Sequence, residues 1–186
     1  MNKETKAQLL AEIDEEINTY KDYPIDDVVY YDLNPVYKNS RLKQGLTNIC
    51  ISTLSAAQYQ NTHALMSKVE YIACVESRGF ILGSVLASVF NLGLILLRSK
   101  KGRLPGKTSK VRHKLEYGSA TMEVQKGKGN VLIFDDVIAT GGTANAAVKV
   151  LKKGGYTPIY ALFLLELAYC NPKLKIDNSS ILTYEK

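Results

Sequence analysis

Two adjacent aspartates after an apolar run are the residues in this chain best placed to bind a polar ligand. Residues 131–134 are consecutive apolar residues without alternation, which predicts a strand covered on both faces of a parallel sheet. Asp135 and Asp136 follow at the carboxyl end of this strand, where open α/β sheets bind their ligands. Neighbouring carboxylates repel each other unless a partner stabilises them. We therefore expect this pair to bind a ligand group, such as two vicinal hydroxyls, and not merely to end a strand.

The turn after the aspartates has residue types that suit a phosphate group. Gly141 and Gly142 allow positive φ and a close approach of the backbone to a bound group. Thr140 and Thr143 place hydroxyls beside the N–H groups of a starting helix, and such helix starts bind anions. A phosphate in the turn and two hydroxyls on the carboxylates together describe a phosphorylated sugar.

Other kinds of site are disfavoured by residue type and spacing. His63 and His113 are the only histidines and lie far apart, so a zinc site or a Ser-His-Asp triad is not expected. Cys50, Cys74 and Cys170 have neither metal-binding spacing nor the pattern of a disulfide framework, which indicates a reducing, cytoplasmic location. The sequence also lacks the G-x-x-x-x-G-K-[ST] motif of a phosphate-binding loop.

Length and charge set broad limits on the class of protein. The 186 residues suffice for one domain with a substantial core, and Lys plus Arg exceed Asp plus Glu by 24 − 18 = 6. This basic excess suits an anionic small substrate as well as a nucleic acid. No apolar run reaches the ~18 residues that a membrane span needs, and the polar, acidic N-terminus lacks the apolar core of a signal peptide.

Hydrophobic patterning predicts an α/β fold in one domain over residues 1–186, with a mainly parallel central sheet flanked by helices. The strand, turn, helix and strand over residues 71–97 form a βαβ unit, which is almost always right-handed. A short extended segment or a loop is expected over residues 28–33, closed by Asn34-Pro35. The predicted helices are 3–20, 41–68, 80–90 and 143–153, and the predicted strands are 71–75, 92–97, 120–125, 131–134, 160–167 and 181–184.

A basic stretch over residues 98–119 carries eight Lys or Arg residues before its one acid, Glu116. Stretches of this length without clear periodicity are usually lids, binding loops or disordered segments. A nucleic-acid segment is disfavoured because the charged part, residues 98–114, lies mid-chain between strands and has no interleaved aromatic residues for stacking on bases. We interpret it as a mobile basic lid that closes over a multiply charged substrate and excludes water.

The run from Asp135 to Thr143 resembles the phosphoribosyl pyrophosphate (PRPP) signature of type I phosphoribosyltransferases. This resemblance implies the fold of that family, with a small N-terminal hood over residues 22–36 and the lid over residues 98–119. It implies that Asp135 and Asp136 bind the ribose hydroxyls. It also implies that the following turn wraps the 5-phosphate with Ala139, Thr140, Gly141, Gly142 and Thr143.

Three further stretches resemble adenine phosphoribosyltransferases. Residues 76–80, Glu-Ser-Arg-Gly-Phe, are similar to that family's pyrophosphate loop, and residues 102–106 with 115–118 are similar to its lid. Residues 28–33 resemble the segment that clasps adenine through backbone groups. The implied roles are pyrophosphate binding by Ser77, Arg78, Lys100 and Tyr117, adenine binding by Val29, Tyr31 and Leu167, and catalysis by Glu116.

The resemblance implies a reaction in which adenine displaces pyrophosphate from C1 of PRPP and AMP is formed. It implies Mg²⁺ bound with PRPP and pyrophosphate, with no direct protein ligand to the metal, and a homodimer. Glu116 would interact with adenine N7, supplying or stabilising a proton as N9 attacks. No nucleic-acid or membrane partner is expected.

The chain departs from the usual family pattern at three places. Residues 30–32 read Tyr-Tyr-Asp where the family usually has Phe-Arg-Asp, Ser99-Lys100 replaces an Arg-Lys pair, and Cys74 replaces a glycine. The change at Tyr31 keeps a phosphoribosyltransferase for another purine base as an alternative. A PRPP-sensing regulator without enzymatic activity is the other alternative.

Overall fold

The computed structural model describes residues 3–59, 63–115 and 118–185. The chain divides into two compact units whose boundary lies between Thr53 and Leu54. The description below treats each unit by itself.

The first unit contains helices and a small hairpin, and its first helix is shorter than the sequence suggested. The predicted helix over residues 3–20 ends at Glu15, because residues 18–21 instead pair antiparallel with residues 29–32. The extended segment predicted over 28–33 is confirmed as the second strand of this hairpin. The elements are α1 (Lys3–Glu15), β1 (Asn18–Lys21), β2 (Val29–Asp32), α2 (Asn34–Lys38) and α3 (Ser40–Ala56).

The second unit contains the elements predicted to bind the phosphoribosyl group and the pyrophosphate. The helical prediction for 41–68 is wrong beyond Ala56, because residues 58–59 and 63–64 pair as two short antiparallel strands. The elements are β3 (Gln58–Tyr59), β4 (His63–Ala64), β5 (Tyr71–Val75), α4 (Gly79–Val89), β6 (Gly93–Leu97), β7 (Thr108–Leu115), β8 (Gly118–Gln125), β9 (Gly129–Ile138), α5 (Gly142–Gly154), β10 (Tyr156–Leu167) and β11 (Asn178–Tyr184).

A parallel sheet forms the centre of the second unit, as the sequence predicts. Its strand order in the described chain is β11-β10-β9-β5-β6, and every neighbouring pair is parallel. The register places Ile95, Ala73, Ile133 and Ala161 side by side across four strands. All four are buried, so the apolar run over residues 131–134 lies at the middle of the sheet.

Helices cover both faces of this sheet, which completes the α/β architecture. On one face, α4 approaches so closely that a Cβ added at Gly83 would lie 2.1 Å from the Cys74 sulfur. The close contact between α4 and β5 thus depends on Gly83 of the helix. Strand β5 carries Cys74 at the position where the family usually has a glycine. On the other face, α5 and β8 pack in one apolar cluster with Val131, Ile133 and Phe163.

The basic stretch is more regular than the sequence suggested. Residues 108–115 form β7, which pairs antiparallel with β8 in a register that joins Thr108 to Gln125 and Leu115 to Gly118. Ser109 is buried on this strand and donates a hydrogen bond to the Lys153 carbonyl at 3.0 Å. This packing against the end of α5 explains why a polar sequence adopts a strand.

Within the described ranges, no helix is long and apolar enough to cross a membrane.

Candidate active site at the carboxyl edge of the sheet

Four loops of the second unit meet one edge of the parallel sheet. The loops follow β5, β6, β9 and β10, and parallel strands all end at the same edge. These loops carry Ser77, Arg78, Lys100, residues 139–143 and Leu167, which are the predicted phosphoribosyl, pyrophosphate and base ligands of this unit. The topology therefore brings these predicted site residues to one edge.

The aspartate pair lies inside β9 rather than after it. The strand continues to Ile138, so Asp135 and Asp136 occupy strand positions near its carboxyl end. Asp136 is 3% exposed, and its backbone N–H donates to Asp135 Oδ1 at 2.9 Å. The backbone thus fixes where both carboxylates are held.

Arg78 supplies the charge that lets a buried carboxylate persist here. Its Nε lies 2.7 Å from Asp136 Oδ2, which joins the loop after β5 to the aspartate pair. Gly79 makes this approach possible, because a Cβ at that position would lie 3.0 Å from the Phe134 carbonyl oxygen and 3.2 Å from Asp135 Oδ1. The peptide bond between Glu76 and Ser77 is cis. The predicted pyrophosphate loop and the predicted ribose ligands are therefore in direct contact.

Both aspartates hold their protons more tightly than usual. Burial and the neighbouring negative charge of Asp136 raise the pKa of Asp135 well above its ordinary value. Burial also raises the pKa of Asp136, although the Arg78 guanidinium acts in the opposite direction. A ligand that brings hydroxyl donors or positive charge to this pair would lower the free-energy cost of ionising the two buried carboxyls.

The turn over residues 139–143 begins α5 with the geometry of an anion site. Gly141 has φ of 85° and Gly142 is the first helical residue, so the free N–H groups of the helix start at this turn. The Thr140 carbonyl accepts a bond from the Lys173 N–H at 3.3 Å. Asn145 Nδ2 donates to the Gly141 carbonyl at 2.9 Å and also to the Lys173 carbonyl.

Asn145 and the backbone of Lys173 brace this turn and were missed in the sequence analysis. The one available signal was a lone asparagine inside the apolar helix sequence Thr-Ala-Asn-Ala-Ala. Lys173 had no such signal, because only its backbone takes part.

Gly141→Ala should loosen this turn and weaken PRPP binding. An alanine there would adopt a left-handed φ, and its Cβ would lie 2.7 Å from the Lys173 carbonyl oxygen, so we expect a loss of about 1 kcal/mol or more in the free energy of unfolding. Gly106→Ala is the matched control, since Gly106 has φ of 75° with nothing within 4 Å of the added Cβ. Denaturant unfolding should show the larger loss for Gly141→Ala, and equal losses would contradict the proposed contact.

The segment after β6 is held against the loop after β5. Glu76 Oε2 accepts bonds from the Ser99 N–H at 2.7 Å and from the Ser99 hydroxyl at 3.0 Å. Arg98 lies 2.8 Å from Glu76 Oε1 and 5.9 Å above the Phe80 ring. Arg98 is thus engaged with Glu76, while the Lys100 side chain is exposed.

The predicted base ligands lie on separate elements. Leu167 is buried at the end of β10, one residue after the pair formed by Glu166 and Ile138. Val29 and Tyr31 belong to β2 in the first unit, where Tyr31 pairs with Thr19. Because Val29 and Tyr31 are two residues apart, their backbone groups point to the same edge of the hairpin. Glu116 and Tyr117 lie outside the described residues.

Metal-binding clusters are not a feature of the described chain. Its His, Cys, Asp and Glu side chains form no group of three or more that could hold a metal ion. The three cysteines are free thiols, and burial raises the pKa of Cys50 and of Cys74 to about 12.

Known proteins resemble this chain over nearly its whole length. The phosphoribosyl transferase domain matches residues 38–168. An adenine phosphoribosyltransferase from Prochlorococcus marinus (strain NATL1A) is 38% identical over 167 residues, which cover 88% of this chain and 91% of that protein. The adenine phosphoribosyltransferase of Cricetulus griseus is 34% identical over 189 residues, covering 98% and 99%.

Solved structures show the same fold. The adenine phosphoribosyltransferase of Saccharomyces cerevisiae, complexed with D-2,5-dideoxy-2,5-imino-altritol 1,6-bisphosphate and adenine, has a TM-score of 0.82 at 28% identity, covering 95% of this chain and 99% of that one. The enzyme from Rhodothermus marinus has a TM-score of 0.80 at 29% identity, covering 96% and 99%. The α/β fold is that of this family, and the chain belongs to the adenine phosphoribosyltransferases of the phosphoribosyl transferase family.

Proposed function

We propose that this chain transfers the phosphoribosyl group of PRPP to adenine, giving AMP and pyrophosphate in purine salvage. The contact between Arg78 and Asp136 is the observation that carries this proposal. It joins a cation suited to the leaving diphosphate to a carboxylate suited to the ribose hydroxyls, at 2.7 Å. The names of the relatives support the choice of adenine as the acceptor.

The phosphoribosyl half of PRPP fits the aspartate pair and the turn that follows it. In our proposal, Asp135 and Asp136 accept hydrogen bonds from the two ribose hydroxyls. The 5-phosphate binds the helix start between Ala139 and Thr143, where backbone N–H groups and the Thr140 and Thr143 hydroxyls are donors. These contacts orient C1 between the diphosphate and the incoming base.

The diphosphate would bind at the loops after β5 and β6. Ser77 and the half-buried Arg78 supply donors from the first loop, and the exposed Lys100 supplies a charge from the second. Tyr117 is proposed as a further ligand. The negative charge on the leaving diphosphate is greater in the transition state than in bound PRPP, so fixed cations there lower the barrier more than they tighten ground-state binding.

A Mg²⁺ ion that arrives with PRPP fits this site. Carboxylate oxygens are ligands that Mg²⁺ accepts, but the described part of the chain offers no cluster of three such groups. PRPP itself would therefore supply most of the oxygen ligands. When bound, the ion neutralises charge on the diphosphate.

The adenine ligands are proposed as the family resemblance implies them. Backbone groups of Val29 and Tyr31 would hydrogen-bond the base edge, and Leu167 would provide an apolar wall. Glu116 would act as the general base at N7. N9 of the N7–H form of adenine attacks C1, the bond from C1 to pyrophosphate breaks, and the N7 proton passes to the Glu116 carboxylate. We propose that residues 98–119 close over this arrangement as the lid, with the β7–β8 hairpin as its frame.

We also propose a homodimer in the cytoplasm. Free thiols at Cys50, Cys74 and Cys170 suit a reducing compartment. An exposed apolar face supports self-association, since residues of α4 and β6 lie on the same side of the sheet with large side chains in water. Their exposed fractions are Ile81 41%, Val85 40%, Val89 53%, Leu94 44% and Leu96 36%.

Val85→Glu should shift the dimer toward monomer. A charge in the middle of the apolar face would be buried without a partner in the dimer, which costs far more than the same charge in water. Lys149→Glu is the control, because it places the same residue on an exposed position of α5. Light scattering after size exclusion measures the mass, and an unchanged dimer in Val85→Glu would locate the interface elsewhere.

Product formation tests the proposed reaction. Purified protein with adenine, PRPP and Mg²⁺ should form AMP and pyrophosphate in equal amounts. PRPP binding measured by calorimetry without turnover of any purine base would favour the PRPP sensor instead, and absence of both binding and turnover would refute the proposal.

A further inference from the structure

Lys100 and Lys101 lie in a short link that is anchored at both ends by carboxylates. We call residues 98–103, between β6 and β7, the bridging segment. Both lysine side chains are exposed, and the segment has no regular structure beyond a single bridge to β8. In that bridge Arg98 and Glu123 exchange backbone hydrogen bonds of 3.0 and 2.8 Å.

Glu76 holds the beginning of the bridging segment. Its carboxylate accepts both donors of Ser99 and lies 2.8 Å from the Arg98 guanidinium, while its own N–H donates to the Leu97 carbonyl at 3.0 Å. Burial acts to raise the pKa of Glu76, but the Ser99 bonds and the Arg98 charge outweigh it, and the pKa lies below its usual value. Glu76 is therefore ionised while it makes these contacts.

Glu123 holds the end of the same segment from inside the protein. It is 0% exposed between the buried Met122 and Val124. Its Oε2 accepts the Gly102 N–H at 2.7 Å and the Arg103 N–H at 3.2 Å, and its Oε1 lies 3.2 Å from Lys110 Nζ. Burial acts to raise the pKa of Glu123, but its bonds to Thr108, Lys110, Arg103 and Gly102 bring it below the usual value.

A fully buried carboxylate is costly, so its contacts are informative about its role. An isolated charge in an apolar interior is strongly unfavourable unless several donors satisfy it. The donors around Glu123 come from the bridging segment and from β7, which together make up most of the lid. Their bonds offset the cost of burying Glu123, and those from Gly102 and Arg103 fix the path of the chain after Lys101.

We propose that Glu76 and Glu123 are positioning residues that hold the bridging segment so that Lys100 and Lys101 face the diphosphate of the substrate. This rests on the proposed function. Neither glutamate touches the substrate; each acts through the backbone of the segment. Glu76 has a second effect, because it immediately precedes Ser77 and Arg78 and so couples the two pyrophosphate loops.

Pyrophosphate binding in the presence of Mg²⁺, measured by titration calorimetry on the full chain, tests this proposal. Glu76→Ala and Glu123→Gln are the test variants, because the first lies near the surface and the second keeps an oxygen for the Gly102 and Arg103 N–H groups. Glu70→Ala is the matched control. Its carboxylate also accepts a backbone N–H, from Asn130 at 2.7 Å, but at the amino end of β9.

We expect the pyrophosphate Kd to rise about tenfold in Glu76→Ala, because a lost buried acceptor leaves two Ser99 donors unpaired. Glu123→Gln should weaken binding less, and Glu123→Ala more than Glu123→Gln. In the test variants the KM for PRPP should rise with the pyrophosphate Kd, while the KM for adenine should change less than about twofold. In Glu70→Ala, the pyrophosphate Kd and the KM for PRPP should each change less than about twofold.

The outcomes separate this proposal from the proposed function. Wild-type protein that forms AMP, together with variants whose pyrophosphate Kd is unchanged, would overturn the positioning role alone. Equal rises in the KM values for PRPP and adenine would also overturn it, because a general structural defect has no preference between substrates. Wild-type protein that binds no pyrophosphate would overturn both.

Discussion

Replacing Asp135 with asparagine is expected to lower kcat/KM for PRPP by about 100-fold or more and, at the same time, to raise the melting temperature. The loss follows because a negatively charged acceptor for a ribose hydroxyl is removed where charge develops in the transition state. The substitution keeps the shape of the side chain and an oxygen for the Asp136 N–H, which lies 2.9 Å from Asp135 Oδ1.

The gain in stability follows from the pKa of Asp135. Burial and the charge of Asp136 raise this pKa above that of the unfolded chain, so the folded state binds a proton more tightly. The free energy of unfolding therefore falls as pH rises from the ordinary aspartate pKa through the raised one, and the full penalty is present above it. Asparagine removes the penalty because it carries no charge at any pH.

Melting temperatures across pH test this account. The stabilisation by Asp135→Asn should be largest above the raised pKa and should shrink as pH falls below it. Asp177→Asn is the control, because Asp177 is an exposed aspartate before β11. A variant that loses stability at pH values above the raised pKa, or one that keeps wild-type turnover, would contradict the role of Asp135 as a costly, functional carboxylate.

Glu116→Leu is expected to reduce kcat by about 100-fold or more while leaving the affinity for PRPP nearly unchanged. General acid–base catalysis contributes roughly 10²–10⁴ to a rate, and it acts on the purine base rather than on the phosphoribosyl donor. Glu116→Gln should lose a similar factor, because glutamine keeps the shape but cannot accept the proton that adenine loses. Pre-steady-state rates and calorimetric PRPP binding measure the two quantities, and equal activity in either variant would remove Glu116 from the chemistry.

Local sequence signals were sufficient for the elements that build the sheet edge. Strand β5 has the predicted bounds, since apolar residues 72–75 are flanked by a turn with clear sequence signals. Gly141 and Gly155 have positive φ at the two ends of α5, as expected for glycines that begin and end a helix. The parallel order of the strands then brings their loops together without further information.

Contacts between distant segments were not predictable from local patterns. Helix α1 stops at Glu15 because residues 18–21 pair with a strand eight or more residues further on. Strand β7 was not predicted, because its many charged residues lack the alternation of a strand. Its formation depends on pairing with β8 and on the packing of Ser109 against α5. Glu123 alternates with the apolar Met122 and Val124, a pattern that predicts a solvent-facing acid, so its burial was not predictable from the sequence.

One departure from the family pattern has a structural explanation. Ser99 stands where an arginine is usual, and it donates both its N–H and its hydroxyl to Glu76. Arg98 occupies the other oxygen of Glu76 at 2.8 Å. Lys100 and Lys101, both exposed, are therefore the residues of this segment that we expect to reach the diphosphate.

A base-competition assay tests the central claim most directly. Purified protein is given PRPP, Mg²⁺ and equal concentrations of adenine, hypoxanthine and guanine, and the nucleotides formed are separated and quantified. The proposed function predicts that AMP is the dominant product and that pyrophosphate equals the nucleotide formed. Dominant formation of IMP or GMP, or no nucleotide while PRPP is bound, would contradict it.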